Sequence, residues 1–463
     1  MNMETQEITT QYSIISEKYT EFKDNQNVPA RINTNDESVP DLFKEYVYAV
    51  TGWPVLIDSH TARELSTLSL TIPKLLHQIP SLYFDNNVKK IRDFYFEGDE
   101  MSAEFAMMCH KKNIETGCRL DLTYTEDGFK ILEANIGSSI GGWQIHSFEN
   151  LIRKFHSELT ENYDQYKSKN TLKIYMNFLI EQILSKVPSI KDTINIFIDN
   201  GFDESDLDPE FADQTSLLFF NDLFKQELAK RALTGEAYSG NVSELVLIGD
   251  NLCFKDVVIH GITVLSMEIK VNTSVFRAFV TDKVYFPDHL GLKMMGDKRN
   301  LAVLLELAYA GKFQPEENQL IIKNIPWTAF IENKNIIFRD KEYNLLELLK
   351  NNKDQFVIKV ARGYQGKDVF VGKFLSDDEW LEAIHTALAT NAFIAQEFSG
   401  SIDFLAPNAQ SEWTPHKLIW GAFGFGDSYG GVWVRMSEVK TDVGVINSAT
   451  GAVEAIVFEV ADK

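Results

Sequence analysis

Two short runs that alternate polar and apolar residues, 118–124 (CRLDLTY) and 129–135 (FKILEAN), lie close to Glu126-Asp127-Gly128 on either side. Alternation with a period of two marks a strand with one buried face, and the residues between the runs are turn formers, so the pair reads as an antiparallel hairpin. With a three-residue loop centred on Asp127 and Gly128 at positive φ, Arg119 lies opposite Asn135 and Asp121 opposite Glu133, all four on one face. A two-residue turn shifts the register by one and sends the pairs to opposite faces. Carboxylates facing each other across a ladder repel unless a cation sits between them. Hard oxygens at this spacing suit a divalent ion, most naturally magnesium carrying phosphates, with Arg119 free to hold a phosphoryl oxygen. Solvated surface acids are the commoner origin of such a pattern; the residues downstream favour a site. The hairpin runs into Ile136-Gly137-Ser138-Ser139-Ile140-Gly141-Gly142, whose small side chains let a polar ligand approach the backbone.

At 463 residues the chain should form two or three domains sharing a cleft. A formal net charge of -22 argues against nucleic acid and anionic membranes as partners, since a phosphate surface would be repelled without a compensating basic face. Cys109, Cys118 and Cys253 are too few and too scattered for a disulfide framework or a zinc knuckle and read as reduced core residues. The opening residues (MNMETQEITTQYS) lack the pattern of an export signal, and no run reaches about 18 apolar residues, so the expectation is a cytoplasmic protein.

Along the chain, residues 27–39 read as a linker or flexible arm, and 40–112 as mostly helical, including 41–50 and 61–72. Residues 143–188 read as two helices. Ile194 to Asp199 is a short buried strand followed by a helix near 215–232, a strand-helix alternation that points to a doubly wound layer. A hairpin is expected around Gly249-Asp250, strand over 262–280, helix over 297–312, strand at 335–339 and helix over 342–350.

The stretch 356–398 has the parts of a phosphate-covering flap. Lys359 interrupts an apolar strand, where a lysine needs an anion, and Ala361-Arg-Gly363-Tyr-Gln365-Gly366-Lys-Asp368 follows as a hairpin turn whose N–H groups could meet phosphate oxygens. It is not a P-loop, because Ala361 and Asp368 occupy the positions that motif reserves for Gly and Ser/Thr. Three further features add to it. Phe393 to Phe398 is a strand ending in Gln396-Glu397, whose backbone could read an adenine ring; Lys298 stands at a helix N-terminus; and Arg435 is a lone cation in the apolar strand after Gly430-Gly431. As a structural residue, Arg435 would be one half of an ion pair.

Taken in order, these motifs resemble the circularly permuted branch of the ATP-grasp superfamily, the glutathionylspermidine synthetase-like ligases. Arg119-x-Asp121 and Glu133-x-Asn135 come first, then Gly-Asp-Lys298, Val-Ile-Lys359 with its glycine turn, Gln396-Glu397 and Arg435, the reverse of the usual order. Residues 285–330 and 420–450 look like that family's helix before the flap and its closing strands; the likeness spans roughly 115–455. It implies a mixed α+β and α/β fold: ATP-grasp in permuted order, with a Rossmann-like layer and a mostly helical N-terminal segment. The implied division is 1–112 for that segment, 113–330 for the metal-binding hairpin and α/β region, 331–405 for the flap and 406–463 for the closing strands.

Carried over residue by residue, the resemblance makes Asp121, Glu133 and Asn135 magnesium ligands. Lys298 and Lys359 would grip ATP phosphates, Gly363, Gln365 and Gly366 would lie in the loop covering them, and Gln396 and Glu397 would border adenine. Arg119 and Arg435 would stabilise the transferring phosphoryl group. Gln365 and Asp368 depart from the small residues common in that loop. The implied activity joins a small-molecule or peptide carboxylate to an amine through an acylphosphate, releasing ADP; the alternatives are a phosphotransferase and a non-catalytic nucleotide-binding scaffold. Ser138, Ser139, Trp143 and Gln144 could line the acceptor pocket, with packing and capping an equally good account of Trp143 and Gln144. The N-terminal segment could instead dock a partner.

Overall fold

Strands from both ends of the chain meet in one sheet. The computed structural model describes residues 28–199, 209–264, 272–363, 369–390, 392–441 and 444–462. Val55–Asp58 (β1) leads into the helix Ser59–Leu82 (α1), whose Asp58 cap accepts the Thr61 N–H and whose buried face is Leu65, Leu68, Ile72, Leu75, Leu76 and Ile79. Helices Val88–Tyr95 (α2) and Glu100–Lys111 (α3) follow, then the hairpin Gly117–Thr125 (β2) and Gly128–Ile136 (β3). The C-terminal strands Trp413–Phe425, Ser428–Glu438 and Val453–Val460 complete the sheet, with Val453–Val460 parallel to β1 and Trp413–Phe425 antiparallel to β2. The hairpin is therefore built onto strands some 300 residues later in the sequence.

The hairpin reaches the expected pairing by a different route. Its turn has two residues, Glu126 and Asp127, with Gly128 following at φ 93°, and the pairs run Thr125–Gly128, Tyr124–Phe129, Thr123–Lys130 and Leu122–Ile131. That register alone would put the acids on opposite faces. Leu132 is an extra residue on β3, and this bulge shifts the ladder so that Asp121 pairs Glu133 and Arg119 pairs Asn135.

Other expectations are revised. Residues 28–39 are not a free arm: Val28, Ala30 and Val39 are buried, and the Ile32 N–H donates to Val50 O. Over 41–50 only a single 3-10 turn, Asp41–Phe43, forms, because residues 44–49 alternate between half-buried and exposed and so offer no continuous helical face. The parallel strand β1, hidden in an apolar tetrapeptide too short for a periodicity argument, was not expected. Among the described residues of 262–280, strand pairing is seen at Gly261–Val264, and Thr273–Val280 is a helix capped by Asn272. The 342–350 helix starts at Leu345, after a short strand Lys341–Asn344.

A three-stranded parallel layer, Ile196–Asp199 (β4), Ala237–Gly240 (β5) and Gly261–Val264 (β6), lies in the order β6-β4-β5, with the helix Pro209–Ala229 crossing between β4 and β5. Helices Asn300–Tyr309 (α4) and Pro315–Asn324 follow. The flap is a separate four-stranded sheet made of Thr328–Phe330 (β7), Phe356–Val360 (β8), Val369–Val371 (β9) and Phe393–Glu397 (β10), in the order β7-β10-β8-β9. One of its faces has its own core, in which Phe356, Ile358 and Ala395 pack against Leu345, Leu349, Trp380 and Ile384 of two helices. Burying each large apolar side chain contributes about 1.5–3 kcal/mol, so this lobe is held by packing of its own. The opposite face, carrying Lys359, Gln396 and Thr328, meets the hairpin. No described helix is long and apolar enough to cross a membrane.

Candidate active site

Across three strands of the large sheet, Asp121, Gly421 and Trp433 occupy one row, with Arg119 and Arg435 one row to either side. Arg119 grips Asp121 with two bonds, Nε to Oδ1 at 2.8 Å and Nη2 to Oδ2 at 3.1 Å, and its Nη1 donates to Gly141 O at 2.7 Å. Arg435 Nη2 reaches the same carboxylate, 2.9 Å from Oδ2. Burial alone would raise the Asp121 carboxyl, but the two guanidiniums hold it down at about 2. Glu454, paired with Arg435 across the ladder, accepts from Ser448 Oγ and Tyr46 OH.

The lysines arrive from the other side. Lys298 Nζ lies 3.4 Å from Glu133 Oε2 and donates to Gly363 O at 2.9 Å, while its backbone N–H donates to Ala361 O. That N–H is therefore committed within the protein. Lys359 Nζ donates to Gln396 Oε1 at 2.7 Å and to Leu132 O, the bulge carbonyl, at 3.1 Å. Burial pushes the Lys359 ammonium down to about 8, with Glu133 opposing the shift and Lys298 adding to it. Gln396, 1% exposed, is fixed in turn by donating to Thr328 Oγ1.

Arg119, Asp121, Glu133, Asn135, Lys298, Gly363, Lys359, Gln396 and Arg435 are thus brought to one junction between the lobes. Glu397 points to the other face of the flap, where Arg339 Nη2 binds it at 2.6 Å beside a cleft of about 740 Å³ that includes Trp327 and Phe398. The N–H groups of Glu397 and Phe398 donate to Trp327 O and Gln355 O. Gln365, Gly366 and Asp368 lie outside the described residues. Ser138 is buried and bound to Asp288 through both N–H and Oγ, and Ser139, next to it, is half-buried. Trp143 packs edge-on against Phe43 and Phe220, and Gln144 Oε1 caps the Gly142 N–H, the packing and capping account of these two.

Several contributors escaped sequence reasoning. Leu132 acts through a carbonyl that only the bulge frees. Asp297 is a buried carboxylate clasped by Arg299 at 2.7 Å, with Arg362 Nε at 3.5 Å, tying the root of the flap to the turn that carries Lys298. Trp433 had one available signal: it stands two residues before Arg435 and so shares its face.

For magnesium, the donor set fits in part. Asn135 uses Nδ2, toward Arg119 O at 3.4 Å, so its hard oxygen is the atom left to a ligand, and Glu133 meets Lys298 only at a loose 3.4 Å. Both oxygens of Asp121 are taken by guanidinium groups. Among the described residues no group of three or more His, Cys, Asp or Glu could cage a metal; a magnesium ion that arrives on phosphates needs only one or two protein oxygens.

No protein-family model and no curated protein sequence matches the chain. Its structure is similar to that of a glutathione synthetase-like effector from Globodera pallida in apo form, with a TM-score of 0.58 at 13% identity, covering 99% of this chain and 98% of that one. A suggested gamma-glutamylcysteine synthetase from Methylobacillus flagellatus gives a TM-score of 0.42 at 11% identity over 87% and 89% of the two chains, too low to carry an argument. The chain shares the overall fold of the synthetase-like effector, a mixed α+β architecture of several sheets.

Proposed function

We propose that this protein is an ATP-dependent carboxylate–amine ligase that works through an acylphosphate and forms an amide, with the ATP-grasp elements in circularly permuted order. The observation that carries this reading is the meeting of four cations, Arg119, Lys298, Lys359 and Arg435, with Asp121, Glu133 and, opposite Arg435 in the ladder, Glu454 as the nearby acids among the described residues at the junction of the two lobes. A buried surplus of positive charge calls for a polyanion.

In this reading Lys298 and Lys359 exchange their present acceptors, Gly363 O, Glu133, Gln396 and Leu132 O, for phosphate oxygens. Glu133 and Asn135 would hold magnesium, which when bound would neutralise phosphate charge. A substrate carboxylate oxygen attacks the γ-phosphorus as the bond to ADP breaks, and Arg119 and Arg435 face the oxygens of the transferring group. The amine nitrogen then attacks the acyl carbon, phosphate leaves, and the amine proton passes to phosphate or solvent. Asp121 keeps the two guanidiniums together and aimed.

An ADP-release assay with magnesium over pooled carboxylates and amines, with products read by mass, tests it. Release that depends on both pools, with an amide product, is expected. Release that needs no amine and leaves a stable phosphorylated product would replace the ligase with a phosphotransferase, and no release with any pool would leave a scaffold.

A further inference from the structure

Arg119 and Arg435 share more than a carboxylate. The guanidinium carbons lie 5.2 Å and 4.4 Å from the centre of the Trp433 ring, which is buried between them. Two like charges drawn to one carboxylate repel each other, and Asp121 can neutralise only one, with the buried Glu454, opposite Arg435 in the ladder, as the other nearby acid. An indole face, negative at its centre, offsets part of the second without taking up any N–H donor. Arg435 Nε has no hydrogen-bond partner among the described residues.

The chain makes room for this ring at two points. Gly421 sits directly between Asp121 and Trp433 in the ladder, and a Cβ there would lie 3.1 Å from Arg119 Cδ and 3.2 Å from the indole. Gly142, at φ 102°, covers the ring from the segment that follows the hairpin; a Cβ there would come within 2.3 Å of it. Gly141, next in the chain, supplies the carbonyl that Arg119 Nη1 binds. The indole is thus fixed by glycines on two elements, and the guanidiniums are fixed by the indole.

We infer that Trp433 is a positioning residue that holds Arg119 and Arg435 in the geometry that receives the transferring phosphoryl group. The inference rests on the ligase reading above. It makes the ring a determinant of how the protein tells a nucleoside triphosphate from a diphosphate, since the γ-phosphoryl is what these two arginines face.

The test is titration calorimetry of the full chain with MgATP and with MgADP. Trp433→Leu should weaken MgATP about tenfold or more while changing MgADP less than about twofold, and Trp433→Phe, which keeps an aromatic face, should recover MgATP binding to within about threefold of wild type. Gly142→Ala, which leaves the indole in place but displaces it, should reproduce the selective loss and serves if the leucine variant does not fold. Equal weakening of both nucleotides, no weakening of either, or failure of a folded phenylalanine variant to recover would overturn the inference. If wild type binds neither nucleotide, the ligase reading falls and this inference with it; that result differs from each of the others.

Discussion

Lys359 Nζ donates to the carbonyl oxygen of Leu132 at 3.1 Å, so the flap lysine is bound by the residue that the hairpin inserts as a bulge. One extra residue does two things at once. It turns Glu133 and Asn135 onto the face of Arg119 and Asp121, and it leaves a carbonyl outside the ladder for the lysine of the opposite lobe. The flap therefore rests on the hairpin through protein acceptors that a phosphate would displace.

Because burial holds Lys359 at about 8, its charge is lost in the ligand-free protein as pH rises through that value. If it grips phosphate, the affinity for MgATP should fall by up to about tenfold per pH unit above 8 and be nearly flat below 7. Lys359→Arg keeps its charge and should remove the slope. Calorimetry at pH 7, 8 and 9 checks this; parallel profiles for the two proteins would rule the lysine out as the titrating group.

Glu133→Gln and Lys359→Ala should each abolish ADP release with little change in far-ultraviolet dichroism. Glu133 is the acid that meets Lys298, and Lys359 is the buried cation of the flap. Near-normal turnover from either variant would sink the assignment of the site.

Asp121 is 7% exposed and serves two guanidiniums, so Asp121→Ala leaves both buried without their carboxylate. Breaking a buried pair from one side costs about 3–5 kcal/mol, to be read from urea unfolding at pH 7. The folded carboxyl titrates at about 2, below its unfolded value, so this contribution is present above about pH 4 and is lost as pH falls toward 2. Wild type and variant should converge only in that acid range.

Asp288 titrates the other way. Burial pushes its carboxyl up to about 6 from 3.8, against the hydrogen bonds it accepts from Ser138. The fold favours the neutral acid, so the stability it contributes is complete below pH 4 and lost as pH rises through 6, a change of about 3 kcal/mol. Asp288→Asn should remove that part of the pH dependence between pH 4 and 7 in urea unfolding. A slope unchanged by the substitution would show that Asp288 is already ionised across the range.

What could be read from sequence alone was local. Alternation at 118–124 and 129–135 marks both strands, with the common face left to the length of the turn; the apolar run at 356–360 marks Lys359 as out of place, and the interrupted strand at 432–436 does the same for Arg435. These readings hold because side-chain periodicity reports burial within a strand, whatever the strand packs against. Tertiary structure decided what each charge meets. Pairing of β2 with Trp413–Phe425 brings Arg435 to Asp121, and docking of the flap brings Lys359 to Leu132 O and Gln396. The turn at Glu126-Asp127 has two residues, the length that by itself separates the pairs, and the bulge at Leu132 restores the register because the buried face of β3 has to be satisfied against the sheet, a condition imposed by strands nearly 300 residues away.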